Sequence, residues 1–162
     1  MSLVIRPGTP ADAAVVTEFN LRLAAETEGK ALDPGVLRRG VERVLGDPHK
    51  GFYTVAERAG EVVGQASVTF EWSDWRDGWY WWLQSVYVRE DCRRLGVFRA
   101  IFGHLHERAV ADPDVIGLRL YVEHDNRRAQ ATYAGLGLEV EPYSMMGLFP
   151  LPGRTDGAAG RA

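Results

Sequence analysis

The sequence predicts an α/β domain built on one mixed sheet, in the order β-αα-βββ-αβ-αβ. Three observations predict it. Residues 52–88 hold three successive β-rich runs, separated by the turn signals Ala59-Gly60 and Asp77-Gly78. Two later stretches, 96–110 and 126–136, read as helices, the first with apolar positions at helical spacing. Each is followed by another β-rich run, which implies locally parallel pairing across a helical crossover. The total is about six strands in a single domain.

Leu3-Val4-Ile5 reads as a short opening strand, ended by Pro7, Gly8 and Pro10. A helix begins at Thr9 or Asp12 and runs to Glu28, with Ala14, Val15, Phe19, Leu21 and Leu23 among its apolar positions. The second helix, 32–45, carries Val36, Leu37, Val41, Val44 and Leu45 on one side and stops at Gly46-Asp47-Pro48. Strands follow at 52–56, 61–70 and 79–88. The helix over 96–110 repeats Phe98, Ile101, Phe102 and Leu105. A strand at 115–122 leads to the helix at 126–136, which ends at Gly137. A last strand is expected over 138–146. The folded domain is expected to span 1–149, and the Gly-, Pro- and Ala-rich tail, 150–162, to be loosely ordered. No internal repeat or linker divides the chain.

The 162 residues include 19 basic and 22 acidic side chains, a net charge of −3. That argues against a general nucleic-acid binder. The single cysteine, Cys92, excludes an intrachain disulfide framework and fits a reducing compartment. No apolar run approaches the roughly 18 residues of a membrane span, and the opening MSLVIRPGTPAD lacks the regions of a signal peptide. A cytoplasmic protein without a membrane partner is expected.

The stretch DCRRLGVFRAI, residues 91–101, is unusual. Arg93, Arg94 and Arg99 crowd a helix N-terminus, which is already the positive end of the helix dipole. An anion among them would relieve that conflict. Free backbone N–H groups and forked guanidinium donors suit a pyrophosphate, and Gly96 lets the backbone approach it. The plainer alternative is a solvated turn, partly balanced by Glu90 and Asp91. The phosphate loop of P-loop proteins is absent, and so is the dinucleotide-binding glycine pattern.

This turn resembles the signature of the GNAT superfamily of acyl-CoA N-acyltransferases: a strand, then Gln or Arg, two residues, Gly, one residue, Gly or Ala, then a helix. Arg93-Arg94-Leu95-Gly96-Val97-Phe98 follows the run Leu83-Gln84-Ser85-Val86-Tyr87-Val88. Phe98 departs from the small residue usual at the last position and narrows the approach to the loop. A second segment is similar to the family's strand-Asn-Ala-Tyr region: Leu120-Tyr121-Val122-Glu123-His124-Asp125-Asn126, then Ala129, Tyr133 and Gly137-Leu138. The order of elements up to about residue 147 also fits.

The resemblance implies a central sheet splayed by a bulge in the strand that carries Val86, Tyr87 and Val88, acetyl-CoA as donor, no metal, and the primary amine of a small molecule or peptide as acceptor. Pyrophosphate would sit on Arg93, Arg94, Leu95, Gly96, Val97, Phe98 and Arg99. The pantetheine arm would pair with the backbone of Val86, Tyr87 and Val88, one of whose N–H groups polarises the thioester carbonyl, and Asn126 would hold the arm. Tyr133 is the candidate general acid for the leaving thiolate, since a phenol of pKa about 10 beside it can return a proton. Without the resemblance, Tyr133 reads as an amphipathic core residue and Asn126 as a helix N-cap.

The general base is harder to place. Some relatives carry Glu on the fifth strand, where this chain has Tyr121. Glu71 ranks first among substitutes, ahead of Glu26, Glu28, Glu123 and His124; water is a further route. Asn20, Glu26 and Glu28 lie where relatives bind the acceptor. A Cys92–His104 or Cys92–His106 nucleophile is disfavoured, because the family transfers its acyl group directly. The histidines and Cys92 make no convincing metal site.

All five tryptophans fall in EWSDWRDGWYWW, residues 71–82. On a regular strand Trp79, Trp81, Leu83 and Ser85 share one face, and Tyr80, Trp82, Gln84 and Val86 the other. Three uses remain open: aromatic packing, a wall of the acceptor pocket through Trp75, and a homodimer contact. The expected function is an acetyl-CoA-dependent N-acetyltransferase. Its alternatives are a non-catalytic acyl-CoA sensor or scaffold of the same fold, and a protein-interaction module.

Overall fold

The computed structural model describes residues 2–149 and 151–152. One sheet runs β1-β2-β3-β4-β5. Strands β1 (Leu3–Pro7), β2 (Phe52–Arg58), β3 (Glu61–Ser73) and β4 (Gly78–Val88) pair antiparallel in succession. Strand β5 (Val115–Leu120) joins β4 in parallel, as its helical crossover requires. Helices α1 (Ala13–Glu28) and α2 (Pro34–Gly46) cover one face, packing Val16 and Val41 on Tyr53 and Val55. Helix α3 (Val97–Ala111) covers the other, setting Ile101, Phe102 and Leu105 against Ala66, Val68, Trp81 and Leu83. Helix α4 (Arg127–Ala134) lies against the first turn of α3, with Tyr133 on Phe98.

The close seat of α3 on the sheet depends on Gly64. A Cβ there would stand 2.9 Å from Val97 Cγ1. Val97 is buried at the first position of α3, so this contact fixes where that helix begins.

The expected sixth strand is a correction. Residues 138–146 alternate polar and apolar positions, but they form no ladder. Leu138 packs on the core, whereas Val140 is 93% exposed and Tyr143, Met145 and Met146 are exposed as well. Pro142 removes a backbone donor, and among the described residues no layer covers the apolar positions to stabilise a strand there. Glu141 comes within 3.7 Å of Arg119 on β5, which is the segment's contact with the sheet edge. The expected tail, 150–162, lies outside the described residues apart from Leu151 and Pro152. No helix among the described residues is long and apolar enough to cross a membrane.

The entry to α1 is tied to β1 by charge. Arg6 Nη1 and Nη2 both donate to Asp12, at 2.9 Å each, and Arg6 Nε donates to Glu57 on β2. The backbone N–H and hydroxyl of Thr9 also donate to Asp12. Arg6 is the main cause that holds the Asp12 carboxyl at about 2, below the ordinary 3.8. A carboxyl depressed in the folded state stabilises fully above its unfolded value, and that contribution disappears as pH falls through the folded one. Asp12→Asn should therefore cost about 1–2 kcal/mol at neutral pH. It should also flatten the loss of melting temperature between pH 4 and pH 2, which thermal melts across that range would measure.

Candidate active site

The site begins with a register fault. Gln65 pairs with Tyr87 and Ser67 with Gln84, so β4 carries one residue more than β3 between them. Ser85 takes up the excess in the left-handed region, at φ 50°. Gln65, fully buried, donates from Nε2 to the Ser85 carbonyl at 3.2 Å and to Asn20 Oδ1 at 2.6 Å. Asn20 in turn donates to the Tyr53 hydroxyl. The regular alternation expected along β4 therefore holds only as far as Gln84. Past the bulge, Val86 and Val88 turn to the α3 side with Trp81 and Leu83, and Tyr87 turns to α1, where its ring meets Phe19. Asn20, expected near the acceptor, is committed to this buried network.

The bulge coincides with the end of pairing on the other edge. The β4–β5 register stops at Leu83↔Leu120, while β4 continues to Val88. Among the described residues no strand pairs with residues 84–88 on that side, so the edge is open to a chain that can pair like a strand.

That edge leads into the arginine turn. Arg93 Nε donates to the Val88 carbonyl at 2.9 Å, and its Nη2 meets Glu26 Oε2 at 2.5 Å. The Tyr87 hydroxyl donates to the other Glu26 oxygen, and the Arg93 guanidinium stands 5.5 Å over the Tyr87 ring. Burial, then the bond to Glu26, pushes the Tyr87 phenol up. Arg93 is therefore held inward by Glu26, and Glu26, expected to attract an amine, is neutralised by Arg93. Arg94 and Gly96 are both left-handed, at φ 67° and 80°, and Gly96 is the N-cap of α3. The first intrahelical bond runs from Ala100 N to Gly96 O, which leaves the N–H groups of Val97, Phe98 and Arg99 without helical partners. A cavity of about 530 Å³ opens here, lined by Arg93, Arg94, Gly96, Phe98, Arg99 and, from α4, Arg128.

On α4, Asn126 Oδ1 accepts from Ala129 N at 3.0 Å and caps the helix. Tyr133 is half-buried, its ring edge-on to Phe98 at 5.7 Å, and Phe98 rests on Phe102. Phe98 therefore forms the shelf on which Tyr133 sits. Burial raises the Tyr133 pKa above that of an ordinary phenol.

Glu71, Trp82, Arg119 and Tyr121 form a cluster on the sheet face that α1 shares. Trp82 Nε1 donates to Glu71, and Arg119 Nη1 donates to the other carboxylate oxygen at 3.3 Å. The Arg119 guanidinium stacks 3.6 Å over Tyr80, and Trp82 stacks on Tyr121. Glu71 lies opposite Tyr80, five residues along β4 from the bulge, and is engaged by both neighbours. Gln84, bonded to Thr69, continues the face toward the bulge. The remaining tryptophans lie elsewhere. Trp72, Trp79 and Trp81 form an aromatic ladder with Phe52 and Phe70 on the α3 face. Trp75, 87% exposed, occupies the turn at the far end of β4 from the arginines. Cys92 is buried in the core.

The sequence pattern of the Acetyltransferase (GNAT) family matches residues 19–138. The chain belongs to that family. A possible acetyltransferase from Clostridium difficile 630 superposes with a TM-score of 0.86 at 41% identity, over 91% of this chain and 97% of that one. Two more distant structures share the fold. An aminoglycoside acetyltransferase from an uncultured soil sample matches at 18% identity and a TM-score of 0.69, over 91% of this chain and 99% of that one. Glucosamine-6-phosphate N-acetyltransferase from Arabidopsis thaliana matches at 16% and 0.69, over 92% and 99%. No curated protein matches the chain.

Within this GNAT domain, sequence reasoning missed three kinds of residue. Gln65 looks like an ordinary strand residue, and only the cross-strand register reveals its hold on the bulge. Arg128 follows Asn126 by two positions, yet its approach to the α3 cavity depends on the path of α4. Arg119 gives no signal until its strand is placed between Glu71 and Tyr80. The Arg93–Glu26 pair predicts a separable effect. Glu26→Gln should lower stability by about 0.5–1 kcal/mol and leave the KM for an amine acceptor unchanged. Thermal melts with steady-state kinetics would measure both.

Proposed function

We propose that this GNAT chain moves an acetyl group from acetyl-CoA to the primary amine of a small molecule or peptide by direct attack. The observation that carries the reading is the open edge of β4 over residues 84–88, running into the cation-lined cavity at the start of α3. A strand-like pantetheine and a diphosphate need those two features in that order. Residues 86–88 would hold the arm by backbone pairing and supply an N–H to the thioester carbonyl. Arg94, Gly96, Val97, Phe98 and Arg99 would hold the diphosphate. Bound there, the donor supplies an activated acyl group and a thiolate leaving group.

Tyr133, a phenol protonated at neutral pH and held by Phe98, is the proposed proton donor. The acceptor would approach over Gln84, Glu71, Trp82 and Tyr121, where one indole, one phenol ring and one carboxylate favour an ammonium. In this reading Glu71 attracts and orients the amine, and water carries away the proton, because Glu71 is engaged by Trp82 and Arg119. That engagement is also what favours the second reading, a non-catalytic acyl-CoA sensor.

A thiol-release assay with acetyl-CoA and a panel of primary amines separates the two. The enzyme reading expects release that depends on the amine and falls about 10²- to 10⁴-fold in Tyr133→Phe, with acetyl-CoA affinity held within about threefold. Acetyl-CoA binding without amine-dependent release would favour the sensor.

A further inference from the structure

The cavity beside α3 carries more positive charge than a diphosphate uses. Arg93 is committed to Glu26 and to the Val88 carbonyl. Arg94, Arg99 and Arg128 also line the cavity, and among the described residues none of the three makes an ion pair. Arg94 and Arg99 flank the free N–H groups of Val97 and Phe98, so the wall formed by α3 already supplies the donors for a diphosphate. Arg128 comes from the opposite wall, on α4. There Thr132, whose hydroxyl donates to the Arg128 carbonyl, and Ala131 share the lining with it. Arg128 is the second residue of α4, near the positive end of that helix, where a cation is disfavoured unless an anion offsets it.

We propose that Arg128 is a specificity residue that binds the ribose 3′-phosphate of coenzyme A and selects acyl-CoA over thioesters lacking that phosphate. The inference rests on the acetyl-CoA reading above. A phosphate monoester carries about −1.5 to −2 charge at pH 7 and offers three acceptor oxygens. A guanidinium fork meets such a group with two parallel bonds, which an ammonium cannot reproduce. Arg128 is solvent-exposed, so the selectivity it confers weakens with salt.

The test is calorimetric titration of the full chain with coenzyme A and with 3′-dephospho-coenzyme A, at low and moderate salt. The wild type, Arg128→Gln and Arg128→Lys are compared, with thermal melts to verify folding. The wild type should bind coenzyme A about tenfold more tightly than the dephospho form at low salt. Arg128→Gln should bring the two affinities to within about twofold by weakening only coenzyme A, and Arg128→Lys should restore part of the difference. Equal weakening of both ligands would assign Arg128 to the diphosphate and overturn the proposal, as would no change in either. If the wild type binds both ligands alike, the proposal falls and the acetyl-CoA reading stands. If it binds neither, the acetyl-CoA reading falls and the proposal with it.

Discussion

The one-residue excess in β4 is the constraint on which the rest of the site depends. A left-handed serine costs on the order of 1–3 kcal/mol, and the fold offsets it with a buried amide chain from Tyr53 through Asn20 and Gln65 to the Ser85 carbonyl. The bulge reverses which side chains face which layer. It sends Tyr87 to α1 and keeps Val86 and Val88 in the α3 core. It lies just past the last β4–β5 pair, so the backbone edge that opens toward β5 belongs to a strand anchored on both faces. An open edge normally invites adventitious pairing. Here it is short and leads directly into a turn lined by cations.

Charge then organises the turn. The crowding of Arg93, Arg94 and Arg99 at a positive helix end has two different resolutions. Arg93 is an internal brace that ties the end of β4 to the end of α1 through Glu26, with Tyr87 as a second ligand of the same carboxylate. Arg94 and Arg99 face the cavity. One arginine thus fixes the geometry in which the others act. A similar division separates Glu71 from the role of general base, since Trp82 and Arg119 occupy both of its oxygens, and leaves it the role of orienting the amine.

Much of the fold was legible because hydrophobic period and turn chemistry agree with it. The strands of residues 52–88, the crossover after β4 and the N-cap role of Asn126 follow from local pattern. The last strand was misread because residues 138–146 carry a strand's alternation without a surface to bury it on, and burial rather than pattern stabilises a strand. The family resemblance implied a bulge in this strand, but its place was invisible at the level of β4 alone. Nothing in the run LQSVYV marks Ser85 as the extra residue, and one added residue inverts every later side chain. The pairing of Arg93 with Glu26 joins residues far apart in the chain, and the approach of Arg128 to the cavity depends on how α4 returns to α3. Phe98, an anomaly in the loop signature, became intelligible only as the surface under Tyr133.

The central claim is that the freed edge of β4 and the first turn of α3 together receive one phosphate-bearing thioester. Amide hydrogen exchange, followed with and without saturating acetyl-CoA, tests it most directly. The account predicts slowed exchange at residues 84–88 and at the N–H groups of Val97, Phe98 and Arg99, with the Trp75 turn unchanged. Binding that protects the α3 turn but leaves residues 84–88 exchanging as before would contradict it, because the bulged strand would then have no part in holding the donor.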